Sequence, residues 1–334
     1  MNLNIAAVLS VIFESKKTGK GRLGRGKLFA ELMSIIADCD GSADIAARIA
    51  GNTDRFLLRV LRGETMYPYT LFSFSEFEKN IGNKNRNVMS EQKVGTYPFV
   101  AEPFHVDFTG KLTMGVLGNH LLNCAGFHAA DRGFGIAELN DNHYTWVLSR
   151  LAIELEDMPR QYEDFSIQTW VENVYRLFTD RNFAILDKEG KAIGYARSVW
   201  AMISMETRKP ADLLTLHSGS ITDYICDKEC PIEKPGRIKV SQSTPVAEYA
   251  TKYSDIDING HVNSIKYIEH ILDLFPMETF KEKSIKRFEM AYVAESYYGD
   301  TLSFYLEEKG ENEFDIEVKK NNQEVVVRSK VIFK

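Results

Sequence analysis

The sequence predicts an α+β chain that uses one plan twice: a helix followed by a run of antiparallel strands, with a mainly helical appendage ahead of both. Three observations predict it. Apolar residues at Val262, Ile265, Ile268, Ile271, Leu272 and Phe275 recur at threes and fours, the spacing of a helix. Alternating polar and apolar runs follow that helix, and follow an earlier small-residue helix too, as half-buried strands require. The charge also changes along the chain. Residues 1–88 carry 13 Lys and Arg against 9 Asp and Glu, and the remainder carries 28 against 38, within a net −6.

The bulk numbers exclude several classes. A chain of 334 residues can hold two domains or more, and 44% hydrophobic with 26% charged residues is an ordinary globular balance. No apolar run reaches the ~20 residues of a membrane span. The net negative charge gives no reason to expect nucleic acid. Cys39, Cys124, Cys226 and Cys230 fit no common zinc spacing and read as reduced thiols of a cytoplasmic protein. The apolar stretch at 3–13 has its basic cluster behind it, the reverse of a secretory signal. Neither a metal nor a cofactor is expected.

Taken in order, residues 1–88 tell least. A basic, glycine-rich stretch at 16–27 lacks the order of a phosphate-binding P-loop and reads as a solvated linker. Leu28, Leu32, Ile35 and Ile36 share a helical face, and shorter helical pieces follow up to residue 66. Met89-Ser90-Glu91-Gln92 reads as a plausible protein start, so 1–88 are expected to be a fused appendage or an upstream extension of the reading frame. Residues 95–225 then give a strand at 99–109, a turn at 115–119 and a helix at 121–130 rich in Ala and Gly. Strands are expected at 145–155, 164–173, 176–186 and 194–205, with a hairpin turn at 188–191. Residues 237–334 repeat the plan: a lead-in at 237–246, a turn at 253–259, a helix at 261–275, and strands at 284–292, 301–307, 313–319 and 324–332.

The chemistry concentrates in the turn of this second repeat. Asp257, Asn259 and His261 set an acid, an amide and an imidazole two residues apart each, and Asn259-Gly260 suits the turn or cap that opens a helix. Free N–H groups and the positive end of the helix dipole converge there, so an oxyanion could be stabilised at that place. The same pattern also suits an ordinary capped helix start.

The longer run Asn259-Gly260-His261-Val262-Asn263-Ser264-Ile265-Lys266-Tyr267, preceded by Asp257, resembles the active-site segment of the acyl-acyl-carrier-protein (acyl-ACP) thioesterases. Trp146-Val147-Leu148-Ser149-Arg150 and Ser198-Val199-Trp200-Ala201-Met202 resemble two further segments of that family, in the same order. The resemblance covers roughly residues 95–334. It implies a tandem hotdog fold, each half a curved antiparallel sheet wrapped around a central helix, with acyl-chain binding at 95–225 and catalysis at 237–334. It also implies a catalytic role for Glu295. Plant members follow that glutamate with cysteine. Here Ser296 follows, which argues against a cysteine nucleophile and leaves a carboxylate mechanism intact.

An internal comparison of the repeats lays Gly118-Asn119-His120 on Asn259-Gly260-His261, so that Val116 falls opposite Asp257. Further on, Arg150 falls opposite Arg287 and Met158 opposite Glu295. The first repeat is thus expected to keep an imidazole and to lack the acid, the amide and the second carboxylate. Thioester hydrolysis needs a held water, a base and oxyanion donors. Asp257 and Glu295 suit the water, His261 the leaving thiolate or a carboxylate, Asn259 the water or carbonyl, and the N–H groups of Val262 and Asn263 the oxyanion. Which carboxylate is the base, or whether one attacks covalently, stays open. An acidic carrier protein needs local cations, and Arg176, Arg181, Arg197, Arg208 and Lys209 qualify by residue type.

The expected function is therefore hydrolysis of fatty acyl-ACP to free fatty acid in fatty acid biosynthesis, with acyl carrier protein as partner. An acyl-CoA thioesterase on the same fold is the near rival. A non-catalytic acyl-thioester sensor with a DNA-binding N-terminal segment is the rival from another class; salt-sensitive DNA binding would mark it. Two such folds in one chain mimic the usual dimer, so monomer and homodimer both fit.

Overall fold

A computed structural model describes residues 93–334. The basic stretch at 16–27, the helical pieces of 28–66 and the start at Met89 lie outside the described residues. The first repeat runs β1 (Val94–Val100), α1 (Met114–Ala130), α2 (Ile136–Asn140), β2 (Tyr144–Leu155), β3 (Asp164–Val174), β4 (Thr179–Leu186) and β5 (Ala192–Ser204). The second runs β6 (Ala247–Ala250), α3 (Ser264–Leu272), α4 (Met277–Glu282), β7 (Ile285–Tyr292), β8 (Thr301–Gly310), β9 (Glu313–Lys320) and β10 (Glu324–Phe333). Among the described residues, no helix is long and apolar enough to cross a membrane.

All ten strands form one antiparallel sheet in the order β1-β3-β4-β5-β2-β7-β10-β9-β8-β6. Read inward from either edge, the order is the same within each repeat, so the two halves are related by a pseudo-twofold through the β2–β7 seam. There Arg150 pairs with Ala291 and Glu154 with Arg287. This is a tandem hotdog. Apolar residues of every second strand position face α1 and α3: Ile153, Phe183, Phe288, Met290, Phe304 and Val327 pack with Leu117, Leu121, Ile265 and Ile268 in one continuous core. That alternation is why the expectations for the strands after each helix agree with the observed strands to within a few residues.

Two expectations before the first helix fail. The strand expected at 99–109 ends at Val100, because Pro103 opens a 3-10 turn and Asp107 folds the chain back, its Oδ1 accepting the Thr109 N–H at 2.8 Å. Residues 115–119 are helix, not turn. Thr113 caps α1, its hydroxyl accepting the Val116 N–H. The glycine at 118 serves packing instead: a Cβ there would stand 2.8 Å from Ile265 Cδ1, so its absence lets α1 and α3 touch.

The fold also corrects the register between repeats. Isolated bridges Val106–Leu112 and Ile256–Val262 close two turns of the same form, and Thr113 and Asn263 cap the two helices. Asp107 therefore stands opposite Asp257, Thr109 opposite Asn259 and Lys111 opposite His261. The first repeat keeps the acid and has lost the imidazole, the reverse of the sequence comparison. The later register holds: Leu112 donates to the Pro159 carbonyl as Val262 donates to that of Ser296, which leaves Met158 opposite Glu295.

Candidate active site

The loop ahead of α3 is built by its own polar residues. Asp257 Oδ1 accepts the N–H groups of Asn259 (2.8 Å) and His261 (3.2 Å), and the Asp257 carbonyl accepts the Gly260 N–H. Gly260 has φ 80°, a left-handed conformation that glycine adopts without strain. This turn leaves Asn259 exposed at its tip and presents the half-buried His261 beside the segment that follows β7. The second Asp257 oxygen makes no hydrogen bond among the described residues.

Glu295 comes from that segment. Its Oε2 lies 3.5 Å from His261 Nε2 and accepts the Tyr297 hydroxyl at 3.2 Å. The His261 ring packs edge-on against Tyr297 at 5.2 Å. Lys320 donates to the Glu295 carbonyl at 2.9 Å, and Arg208, reaching over from the turn after β5, ion-pairs with Oε1. The fold thus brings Asp257, His261 and Glu295 together across some forty residues of chain. Arg208, Tyr297 and Lys320 complete the setting. The sequence points to Arg208 only as a docking cation and to neither of the others; the aromatic pair Tyr297-Tyr298, one residue beyond Glu295, is the signal for Tyr297, and Lys320 has none.

Two sets of expected residues are corrected. The Val262 and Asn263 N–H groups are not free for an oxyanion: they donate to the carbonyls of Ser296 and Asp255, both at 2.8 Å. Ser264, first residue of α3, has the free N–H instead among the described residues. Of the docking cations, Arg181 is buried, donating to Thr169 Oγ1 and lying 3.0 Å from His128 Nδ1. Burial lowers its pKa to about 10, and it stays charged at neutral pH. Arg197 is tied to Glu172 and to the carbonyls of Cys230 and Ile232. Only Arg176, Arg208 and Lys209 are exposed, and Arg176 pairs with Asp212. Ser296 is fully buried beside Tyr267, so it presents no surface nucleophile.

The first repeat's equivalent place carries different chemistry. Lys111, in the position of His261, pairs with Asp157 at 2.7 Å, next to the apolar Met158.

The chain is a tandem hotdog that sets an acid and an imidazole in the turn ahead of one central helix and brings a carboxylate to them from the segment after β7. The chain belongs to the acyl-ACP thioesterase family: residues 97–215 match the family's N-terminal domain and residues 238–334 its C-terminal domain. It is similar to an acyl-ACP thioesterase from Bacteroides thetaiotaomicron, with 75% identity and a TM-score of 0.70 over 73% of this chain and 99% of that one. A 12:0-ACP thioesterase from Umbellularia californica shares the fold, with a TM-score of 0.64 at 21% identity over 73% of this chain and 98% of that one. The chain is 25% identical to an oleoyl-acyl carrier protein thioesterase of Arabidopsis thaliana over 64% of its own length, and spans 63% of that relative.

Proposed function

We propose that the protein hydrolyses fatty acyl-ACP to free fatty acid and holo-carrier protein in fatty acid biosynthesis, in the cytoplasm, with residues 237–334 catalytic and 95–225 binding the acyl chain. The observation that carries this reading is the His261–Glu295 contact beside the Asp257 turn, in the repeat that alone has all four polar groups. With His261 Nε2 turned to Glu295, Nδ1 is the nitrogen left to take a proton. Water held by the free oxygen of Asp257 gives its proton to Nδ1 and its oxygen to the thioester carbonyl carbon. Glu295, ion-paired to Arg208, stabilises the imidazolium. The Ser264 N–H and the Asn259 amide receive the oxyanion. Collapse breaks the C–S bond, and the proton on His261 passes to the thiolate. Free-thiol release from matched acyl-ACP and acyl-CoA panels tests the reading. Turnover confined to acyl-CoA would overturn the partner, and tight binding without turnover would overturn the enzyme.

Arg208→Gln removes the cation that holds Glu295. Its expected effect is a fall in kcat of roughly tenfold or more, the lower range for disturbed acid–base assistance, with KM little changed. Steady-state kinetics on acyl-ACP check it, and a pure KM effect would return Arg208 to a docking role.

The carrier protein's docking place is proposed at the rim of the catalytic turn. Tyr253, Ile258 and Tyr298 are 89%, 100% and 71% exposed, and together with Asp257 they line a depression of about 740 Å³. Lys252, beside Tyr253 in the chain, and Lys209, beside Arg208, are exposed and make no ion pair among the described residues, which suits an acidic partner. Alanine at Tyr253, Ile258 and Tyr298 together is expected to raise KM for acyl-ACP about tenfold or more, the scale of a lost interface anchor. Rates on a short acyl-thioester lacking the carrier should stay at wild-type values. Equal losses on both substrates would refute this surface.

A further inference from the structure

The residue that anchors the catalytic loop is Asp255. It is 2% exposed, and every polar group it has is engaged. Oδ2 accepts the Tyr249 hydroxyl at 2.9 Å and the Lys252 N–H at 2.7 Å, and Oδ1 lies 2.9 Å from His270 Nε2 on α3. Its N–H donates to the Lys252 carbonyl, and its own carbonyl accepts the Asn263 N–H at 2.8 Å. Asp255 and Asn263 are therefore clamped together, and the segment between them carries Asp257, Asn259 and His261. Burial alone would raise the Asp255 carboxyl, but the Lys252 N–H, His270 and Tyr249 outweigh it and hold the group below the usual carboxylate range.

The first repeat supplies an internal contrast. Phe99, His105 and His120 occupy the places of Tyr249, Asp255 and His270. The frame is the same: Phe99 and His120 stack at 4.1 Å and 38°, as Tyr249 and His270 do at 4.1 Å and 37°, and the His105 carbonyl accepts the Thr113 N–H as that of Asp255 accepts the Asn263 N–H. The side-chain ties are missing. His105 Nδ1 and His120 Nε2 are buried without hydrogen-bond partners among the described residues, and burial followed by His105 lowers the pKa of His120. Backbone shape alone thus does not need the acid; the acid occurs only where the loop carries the full set of polar groups.

We propose that Asp255, with Tyr249 and His270, is the positioning group of the catalytic loop: it fixes His261 and Asp257 relative to Glu295 without touching substrate. This rests on the hydrolase reading, and wild-type turnover tests that reading separately. The experiment compares Asp255→Asn, His270→Gln and Tyr249→Phe with the first-repeat variants His105→Asn and His120→Gln. Acyl-ACP kinetics, thermal melts and amide exchange at the loop are measured on the full chain. Asp255→Asn should lower kcat up to about 100-fold, the scale of a small misplacement of reacting groups. KM should stay within about twofold, the melt should stay cooperative, and the His261 N–H should exchange faster. The first-repeat variants should keep wild-type kcat. Should Asp255→Asn fail to fold, Tyr249→Phe, which installs the first repeat's own residue, decides the matter: a fall in kcat supports the proposal. Unchanged kcat and loop exchange in a folded second-repeat variant, or equal losses from the first-repeat variants, would overturn it.

Discussion

Glu295→Gln is expected to lose two to four orders of magnitude in kcat, the range of general acid–base assistance, while KM and melting temperature stay near wild type. The substitution keeps shape and one acceptor oxygen, enough for Tyr297 or Arg208 but not both, and removes the charge that stabilises the imidazolium of His261, 3.5 Å away. Asp257→Asn should behave alike for a different reason. Its amide oxygen can still accept the Asn259 and His261 N–H groups that shape the turn, so the turn survives. The oxygen proposed to hold water becomes an NH₂, which donates and cannot accept the water's O–H. Met158→Gln, at the matching place of the first repeat, should leave kcat unchanged. The measurement is free-thiol release from acyl-ACP under saturating substrate. A Glu295→Gln enzyme within tenfold of wild type would remove the carboxylate from the mechanism.

Strand positions were legible in the sequence because one face of each strand is buried, and burial writes a period of two. The repeat register was harder to read. Asp107-Phe108-Thr109-Gly110-Lys111-Leu112-Thr113 and Asp257-Ile258-Asn259-Gly260-His261-Val262-Asn263 share an acid, a glycine, an apolar residue and a capping residue in step. That is the signature of one turn, and it outweighs the single shared histidine that set His120 against His261. The site itself was half legible. Asp257 and His261 lie in one loop, but the arrival of Glu295 from beyond β7, and of Arg208 from beyond β5, depends on strand pairing across the seam. Choosing docking cations by residue type failed where strand alternation decides the outcome. Arg181 faces α1, and Arg197 faces the connection at 226–234 that covers the sheet's other side.

Arg287→Met is expected to cost about 3–5 kcal/mol of stability, the range for breaking a buried ion pair from one side. Arg287 is 8% exposed on β7. It donates to Glu289 Oε1 at 2.7 Å, to Glu154 Oε2 at 2.8 Å across the β2–β7 seam, and to the Glu233 carbonyl at 2.9 Å. Glu289 is 4% exposed and also accepts the Gly236 N–H, so one guanidinium joins both repeats and the connection between them. Removing it leaves the Glu289 carboxylate buried without its cation, and that uncompensated charge is the larger part of the loss. For a unit of this size the melting temperature should fall by roughly 10 °C. The double variant Arg287→Met with Glu289→Met removes both charges and should regain much of the loss, because a well-packed apolar pair can replace a buried ion pair at little net cost. Chemical denaturation of the three proteins separates the cases. If the double variant is less stable than the single one, hydrogen bonds to the connection, and not the stranded charge, hold this seam.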